Sequence, residues 1–130
     1  MTVKDIFVSA LCLLAESTSE ADTEDYAERA PYLVAAFCTE AQDTDEALRV
    51  ATGAAEAPQF NAVYISLEDD FPLLKRFTSA AAYYLAAMLV IDEDEQLSDR
   101  LYDKYSDAMS TIRQSIPAQC ESINDSYCFS

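Results

Sequence analysis

Residues 70–114 read DFPLLKRFTSAAAYYLAAMLVIDEDEQLSDRLYDKYSDAMSTIRQ, and they carry the clearest helical pattern of the chain. Apolar residues recur at three- and four-residue spacing, which places them on one face of an α-helix. The pattern predicts one helix over residues 70–91, with Pro72 in its first turn, and another over residues 95–114. Because only a short acidic turn separates them, we expect the two helices to pack antiparallel. The predicted core stripes are Leu74, Phe77, Ala81, Leu85 and Met88, and then Leu97, Leu101, Tyr105, Ala108 and Ile112.

The amino-terminal residues predict a further helix. Thr2 and Asp5 have the spacing of a capping box, in which each residue satisfies a backbone N–H group of the other. The apolar face that follows predicts a helix that runs to about Glu16. Residues 17–22 are polar, and they predict a loop.

A second helix is predicted from the apolar stripe that extends from Tyr26 to Ala41. Asp22 or Thr23 is the predicted cap at its start. Pro31 interrupts the stripe. The pattern therefore allows either one kinked helix, which we favour, or a helix that begins at Pro31.

The least regular internal stretch is residues 42–61, which include Gly53. We interpret it as a long connection with one helical turn near residues 46–51. Residues 62–67 read AVYISL and are strand-like, but no second clear strand is available to pair with them. We therefore expect an extended loop or a pairing with the edge of another subunit.

These patterns predict an all-α fold, a small bundle of about four main helices with a long irregular connection. A chain of 130 residues is one domain by length, and its single glycine argues against sheets joined by tight hairpins. The predicted organisation is a helical domain over residues 1–114 and an extended carboxy-terminal docking tail over residues 115–130.

The net charge of the chain is −16, from 24 acidic and 8 basic residues. Such a chain repels nucleic-acid phosphates and anionic membranes, so specific DNA binding is not expected. The charge suits solubility, a surface that DNA slides past, or a surface that imitates DNA. The longest later apolar run, residues 80–91, is too short for a membrane span of about 20 residues. We therefore expect a protein found inside cells or in a particle released from them.

The residue types needed for common catalytic and metal sites are mostly missing. No histidine is present for a catalytic triad or a Cys/His zinc site, and one glycine cannot form a phosphate-binding loop. Cys12 and Cys38 lie within apolar helical patterns, where we expect buried free thiols, whereas Cys120 and Cys128 lie in the tail. The prediction is a protein that is not an enzyme and needs no cofactor or metal.

One acidic string comes close to a calcium loop. Asp92, Asp94 and Gln96 lead to Asp103 at the twelfth position, but Leu97 stands at the sixth, where such a loop needs glycine. Leu97 also begins a predicted core stripe. We therefore interpret these carboxylates as solvated helix caps.

Two groups of residues are predicted to contact other chains. Tyr64, Tyr83 and Tyr84 are candidates for a subunit interface, although core positions are equally allowed for the last two. The tail is predicted to be extended and to lay its apolar residues on a neighbouring chain, because they share no periodic face. These tail residues are Ile116, Ile123, Tyr127 and Phe129.

The order of these segments resembles the small head–tail connector proteins of tailed bacteriophages. The segments that carry the resemblance are MTVKDIFVSALCLLAE, DTEDYAERAPYLVAAFCTEA, LEDDFPLLKRFTSAAAYYLAAMLVIDED and EQLSDRLYDKYSDAMSTIRQSI. They are similar to that family's first helix, its proline-containing second helix, its proline-started helix and its last helix. The resemblance covers about residues 1–116 and is one of order, length and texture.

The resemblance implies an adaptor in the neck of the virion, made in the cytoplasm of a bacterial host. Such proteins form a ring of copies beneath the portal protein, commonly twelve. The ring extends the DNA channel and docks the next neck or tail-completion protein, and DNA passes through it without specific binding. In that family the carboxy-terminal tail often docks onto the portal.

Two other functions are compatible with the residues. An acidic DNA mimic that blocks a nuclease or repressor accounts for the charge, but it leaves the apolar tail and AVYISL unexplained. A generic helical regulatory or toxin-neutralising protein is a further alternative.

Overall fold

The structure, a computed structural model, describes residues 1–14, 20–57 and 59–116. Within these residues it contains four α-helices and no strand. Helix α1 is Val3–Leu13, α2 is Glu20–Thr52, α3 is Thr78–Val90 and α4 is Glu95–Ser115, and a 3₁₀ turn over Lys75–Phe77 leads into α3. The predicted all-α bundle of about four helices is confirmed.

Helix α1 begins with the predicted capping box. The Asp5 N–H donates to Thr2 Oγ1 at 3.4 Å, and the Thr2 N–H donates to Asp5 Oδ2 at 3.0 Å. The helix ends at Leu13, before the predicted end near Glu16, and the Leu14 N–H donates to the Leu11 carbonyl at 3.0 Å.

Helix α2 is one helix that contains Pro31, so the favoured single-helix interpretation is confirmed. It begins at Glu20, which places Asp22 and Thr23 inside the helix and makes the predicted cap position wrong.

Helix α2 also extends to Thr52, so the irregular connection predicted from residue 42 was wrong over its first half. Its last turns bury Leu48 and Asp45 against the rest of the chain. Gly53 ends the helix with a φ of 73°, a conformation that glycine adopts without a Cβ clash. The Ala54 N–H then donates to the Arg49 carbonyl at 2.9 Å.

The connection after α2 crosses back over α1 and α2. Its AVYISL segment is an extended loop, and the Ile65 N–H donates to the Pro31 carbonyl at 3.2 Å. The carbonyls of Asp69 and Leu67 accept from the N–H groups of Val3 and Lys4, each at 2.9 Å. The connection thus satisfies backbone donors in the first turn of α1 that no helical carbonyl could reach.

Helix α3 begins at Thr78 and not near Pro72, which lies in the connection. Phe71 and Leu73 are buried there as loop residues, and an Asp45 oxygen accepts the Leu74 N–H. These contacts hold residues 71–74 away from helical geometry.

Helices α3 and α4 form the predicted pair, joined by the turn at residues 91–94. Asp94 caps α4 by accepting the Leu97 N–H at 3.0 Å. Ser98 Oγ donates to the Ala87 carbonyl at 2.9 Å, and farther along α4 the Tyr105 ring packs on Tyr84. These contacts show that the pair is antiparallel. Helix α3 packs against α1, α2 and α4, so most of its side chains are buried.

Candidate interaction surfaces

An exposed aromatic pair joins α2 to the connection. Tyr32 and Tyr64 are 56% and 49% exposed, and their rings meet edge to face with centroids 5.0 Å apart. Val63 beside them is 80% exposed. The buried Ile65 anchors this part of the loop, so Val63 and Tyr64 are held in place on the surface. Exposed tyrosine and apolar residues grouped in this way are typical of a surface that contacts another protein.

Tyr32 was missing from the sequence prediction. It lies outside the core stripe of α2, directly after Pro31. An aromatic side chain off the apolar face of a helix was the available signal.

The structure separates the two adjacent tyrosines of α3. Tyr84 is only 9% exposed and packs on Phe37 and Tyr105, so we do not keep its assignment to a subunit interface. Tyr83 is partly buried and lines a groove between α1 and α3. Tyr64 and Tyr83 therefore belong to two different surfaces.

The groove between α1 and α3 is uncharged among its described side chains. Its volume is about 210 Å³. Met1 and Leu13, which belong to its α1 side, are large apolar side chains left exposed. Ser9 and Ser79 add hydroxyl groups. In a chain of net charge −16, an apolar groove free of carboxylates is a second candidate contact surface. Its lining residues are Met1, Ile6, Ser9, Leu13, Thr78, Ser79, Ala82 and Tyr83.

The aromatic cluster between α2, α3 and α4 is structural. Tyr105 Oη donates to Glu40 Oε1 at 3.3 Å. Burial raises the pKa of Tyr105, and the nearby Glu40 carboxylate raises this pKa further. Burial likewise raises the pKa of Tyr84. Both hydroxyls therefore stay protonated at neutral pH.

A buried ion pair fastens the connection to the end of α2. Arg49 Nε donates to Asp45 Oδ2 at 2.8 Å, and the two side chains are 14% and 6% exposed. Asp45 Oδ1 accepts the Leu74 N–H at 2.8 Å. The other guanidinium nitrogens of Arg49 donate to the carbonyls of Ala55 and Pro72, at 2.8 and 3.3 Å. A cleft of about 110 Å³ lies beside the pair, and this network holds its walls together.

Asp45→Ala is expected to lower the free energy of unfolding by about 3 kcal/mol, because it leaves a mostly buried guanidinium and the Leu74 N–H without their acceptor. Urea unfolding measures the loss. Asp43→Ala, at an exposed position of the same helix, is the control and should change little. Equal effects of the two substitutions would show that the network contributes nothing.

The two cysteines of the helical body differ. Cys38 is buried as predicted, and burial raises its pKa to about 12, with Asp45 adding to the effect. Cys12 is exposed, so the prediction of a buried thiol was wrong for it. It lies at the edge of the apolar face of α1, where packing does not cover it.

The Cys38 thiol is expected to make the fold less stable at alkaline pH. Its ordinary pKa is 9.0 and its folded pKa is about 12, so between these values the unfolded state alone loses the proton and gains in stability. Cys38→Ala should therefore reduce the loss of stability from about pH 9 to about pH 11 by about 2 kcal/mol. Urea unfolding at several pH values measures this slope, and an unchanged slope would contradict the assignment.

Acidic residues converge at one end of the bundle. Tyr26 Oη donates to the Glu93 carboxylate, and the Arg29 guanidinium donates to the carbonyls of Met88 and Leu89, at 3.1 and 3.4 Å. These bonds place the start of α2 beside the α3–α4 turn. The exposed carboxylates there are those of Glu24, Asp25, Glu28, Asp92, Glu93, Asp94 and Glu95. Within the described residues, no three His, Cys, Asp or Glu side chains are arranged to hold a metal ion.

Of the predicted tail residues, the structure describes Ile116. It follows the last residue of α4, and its side chain packs partly buried against the core. Its assignment to a free docking tail is therefore corrected to the edge of the helical body. Ile123, Tyr127 and Phe129, as well as Cys120 and Cys128, lie outside the described residues.

Comparisons of the chain with protein families, with curated proteins and with solved structures found no match. Among the helices of the described residues, none combines the length and the apolar character needed to cross a membrane.

Proposed function

We propose that this chain is a head–tail connector of a tailed bacteriophage, which forms a ring of about twelve copies beneath the portal protein and receives the next neck protein. The observation that carries the proposal is an acidic helical body with two separate surfaces on which large apolar or aromatic side chains are exposed. These are the Tyr32–Val63–Tyr64 patch and the α1/α3 groove. A subunit of a closed ring uses two different surfaces, one for each neighbour.

The charge supports the same proposal. The bundle end formed by the α3–α4 turn and the start of α2 presents exposed carboxylates to solvent. A ring lined with such ends repels DNA phosphates, so DNA passes without being held. Repulsion between copies also opposes assembly of the isolated protein at low salt, because screening is then weak. We therefore expect a monomer in dilute buffer and a ring where a portal organises the copies.

The proposal is tested by co-expressing the chain with the portal protein encoded in the same genome, followed by electron microscopy. The expected result is a ring of this chain at one end of the portal. Tyr32→Ser combined with Tyr64→Ser should prevent that ring, whereas Tyr102→Ser, at another exposed tyrosine, should leave it intact. A chain that elutes alone as a monomer after co-expression would overturn the proposal.

The acidic end also favours a second candidate function, a DNA mimic. Exposed carboxylates from α2 and from the α3–α4 turn lie on one surface there, as an imitation of DNA phosphates requires. A mimic acts through this surface as a monomer. Replacing Asp92 and Asp94 with Asn would then abolish inhibition of a DNA-binding protein, and the tyrosine substitutions would have no effect.

A further inference from the structure

The carboxy-terminal tail begins close to the α1/α3 groove of the same chain. Helix α4 ends at Ser115, and the end of α4 packs against the 3₁₀ turn that leads into α3. Thr78 and Ser79, directly after that turn, line the groove. The tail therefore leaves the helical body at the same end of α3 at which the groove opens.

The tail is long enough to reach the groove. Ser79 lies five residues before Tyr84, which faces α4, so the groove is about 140° around the α3 axis from that contact. A tail that enters the groove must pass around a helix about 10–12 Å across. Residues 117–122 span up to about 20 Å when extended, which covers this path and brings residues 123–129 opposite the groove.

The chemistry of the two segments also matches. The tail carries two of the chain's 24 acidic residues, Glu121 and Asp125, and none of its basic ones. The tail also carries three large apolar side chains, Ile123, Tyr127 and Phe129, which are spaced four and then two positions apart. The groove offers apolar walls, two serine hydroxyls and, among its described lining residues, no carboxylate that would repel the tail.

We propose that residues 117–130 occupy the α1/α3 groove of their own chain in the isolated protein. A short tether gives the tail an effective concentration in the millimolar range, so it outcompetes the tails of other copies at micromolar protein. The occupied groove is closed to a neighbouring subunit. A partner that captures the tail uncovers the groove, so assembly depends on that partner. The docking itself does not rest on the proposed function and is tested without portal or particles.

The test is disulfide formation in the purified full-length protein at micromolar concentration. Cys12→Ser and Cys120→Ser leave Cys128 as the tail thiol, and Ser9→Cys on α1 or Ser79→Cys on α3 adds one in the groove. Both serines are exposed, so the fold tolerates the changes. Ser106→Cys, at an exposed position of α4, is the matched control. With copper phenanthroline as oxidant, we expect an intramolecular disulfide to Cys128 that forms roughly tenfold faster from either groove position than from the control.

Non-reducing electrophoresis and peptide mapping distinguish the outcomes. A cross-linked monomer in which a disulfide joins the thiol introduced at position 9 or 79 to Cys128 supports docking within the chain. A cross-linked dimer would instead make a second copy the occupant and overturn the proposal. Equal rates for the groove and control positions would also overturn it, by showing that the tail has no preference for the groove. None of these outcomes decides whether the chain forms a ring on a portal.

Discussion

Leu85→Asp will abolish cooperative folding. Leu85 is fully buried in α3, the helix that packs against the other three. Replacing a buried leucine with a smaller side chain costs about 2–5 kcal/mol, and burying a carboxyl group without a partner adds several more. The sum approaches the whole stability of a small domain, about 5–15 kcal/mol. Thermal unfolding followed by circular dichroism should show no cooperative transition.

Leu101→Asp provides an independent check from the facing helix, because Leu101 is buried in α4. The matched control is Ser106→Asp, which adds the same charge to an exposed position of the same helix and should change stability by at most about 0.5 kcal/mol. A normal cooperative melt in both leucine variants would contradict the described packing of α3 against α4.

The α3–α4 pair could be predicted from sequence because its information is local. Leu85, Leu101 and Tyr105 recur at helical spacing, and their burial follows from that spacing. The turn between the helices also depends on residues close in sequence, since Asp94 caps α4 by accepting a hydrogen bond from the N–H three positions later.

The second half of α2 could not be predicted in the same way. Its apolar residues are scattered, and the helix there is held by polar contacts with distant residues. Asp45 bonds the Leu74 N–H, Arg49 bonds the Pro72 carbonyl, and Gln42 Oε1 accepts the Phe60 N–H at 3.0 Å. The spacing of apolar residues in the sequence gives no information about such long-range polar contacts. The same bonds keep residues 72–74 out of α3. The predicted end of α2 and the predicted start of α3 were therefore both wrong for the same reason.

The candidate surfaces were only partly visible in the sequence. Tyr64 could be singled out because AVYISL had no strand to pair with, but its neighbour Tyr32 is 32 positions away and meets it only through the fold. Tyr83 and Tyr84 are adjacent in sequence, yet the helix turns one toward the groove and the other into the core. The sequence pattern alone does not tell which of the two tyrosines is exposed to a partner, whereas the packing of other helices around α3 does.

If the chain is the proposed connector, deletion of residues 117–130 is expected to leave helical content and cooperative melting in place but to prevent incorporation into phage particles. The four helices and the core that they bury lie within the described residues up to 116, and we expect them to fold without the deleted segment.

Far-ultraviolet circular dichroism measures the first expectation, and particle composition after complementation of a deletion phage measures the second. Replacing Ile123, Tyr127 and Phe129 together with Ser should reproduce the assembly defect, because a docking tail binds through apolar side chains. Replacing Ser122, Asn124 and Ser126 with Ala is the matched control and should leave incorporation normal. Loss of helical content on truncation would place the tail in the core. Normal incorporation of the truncated chain would show that assembly does not use the tail, and the proposed connector would then have to hold its neighbours through the Tyr32–Val63–Tyr64 patch and the groove alone.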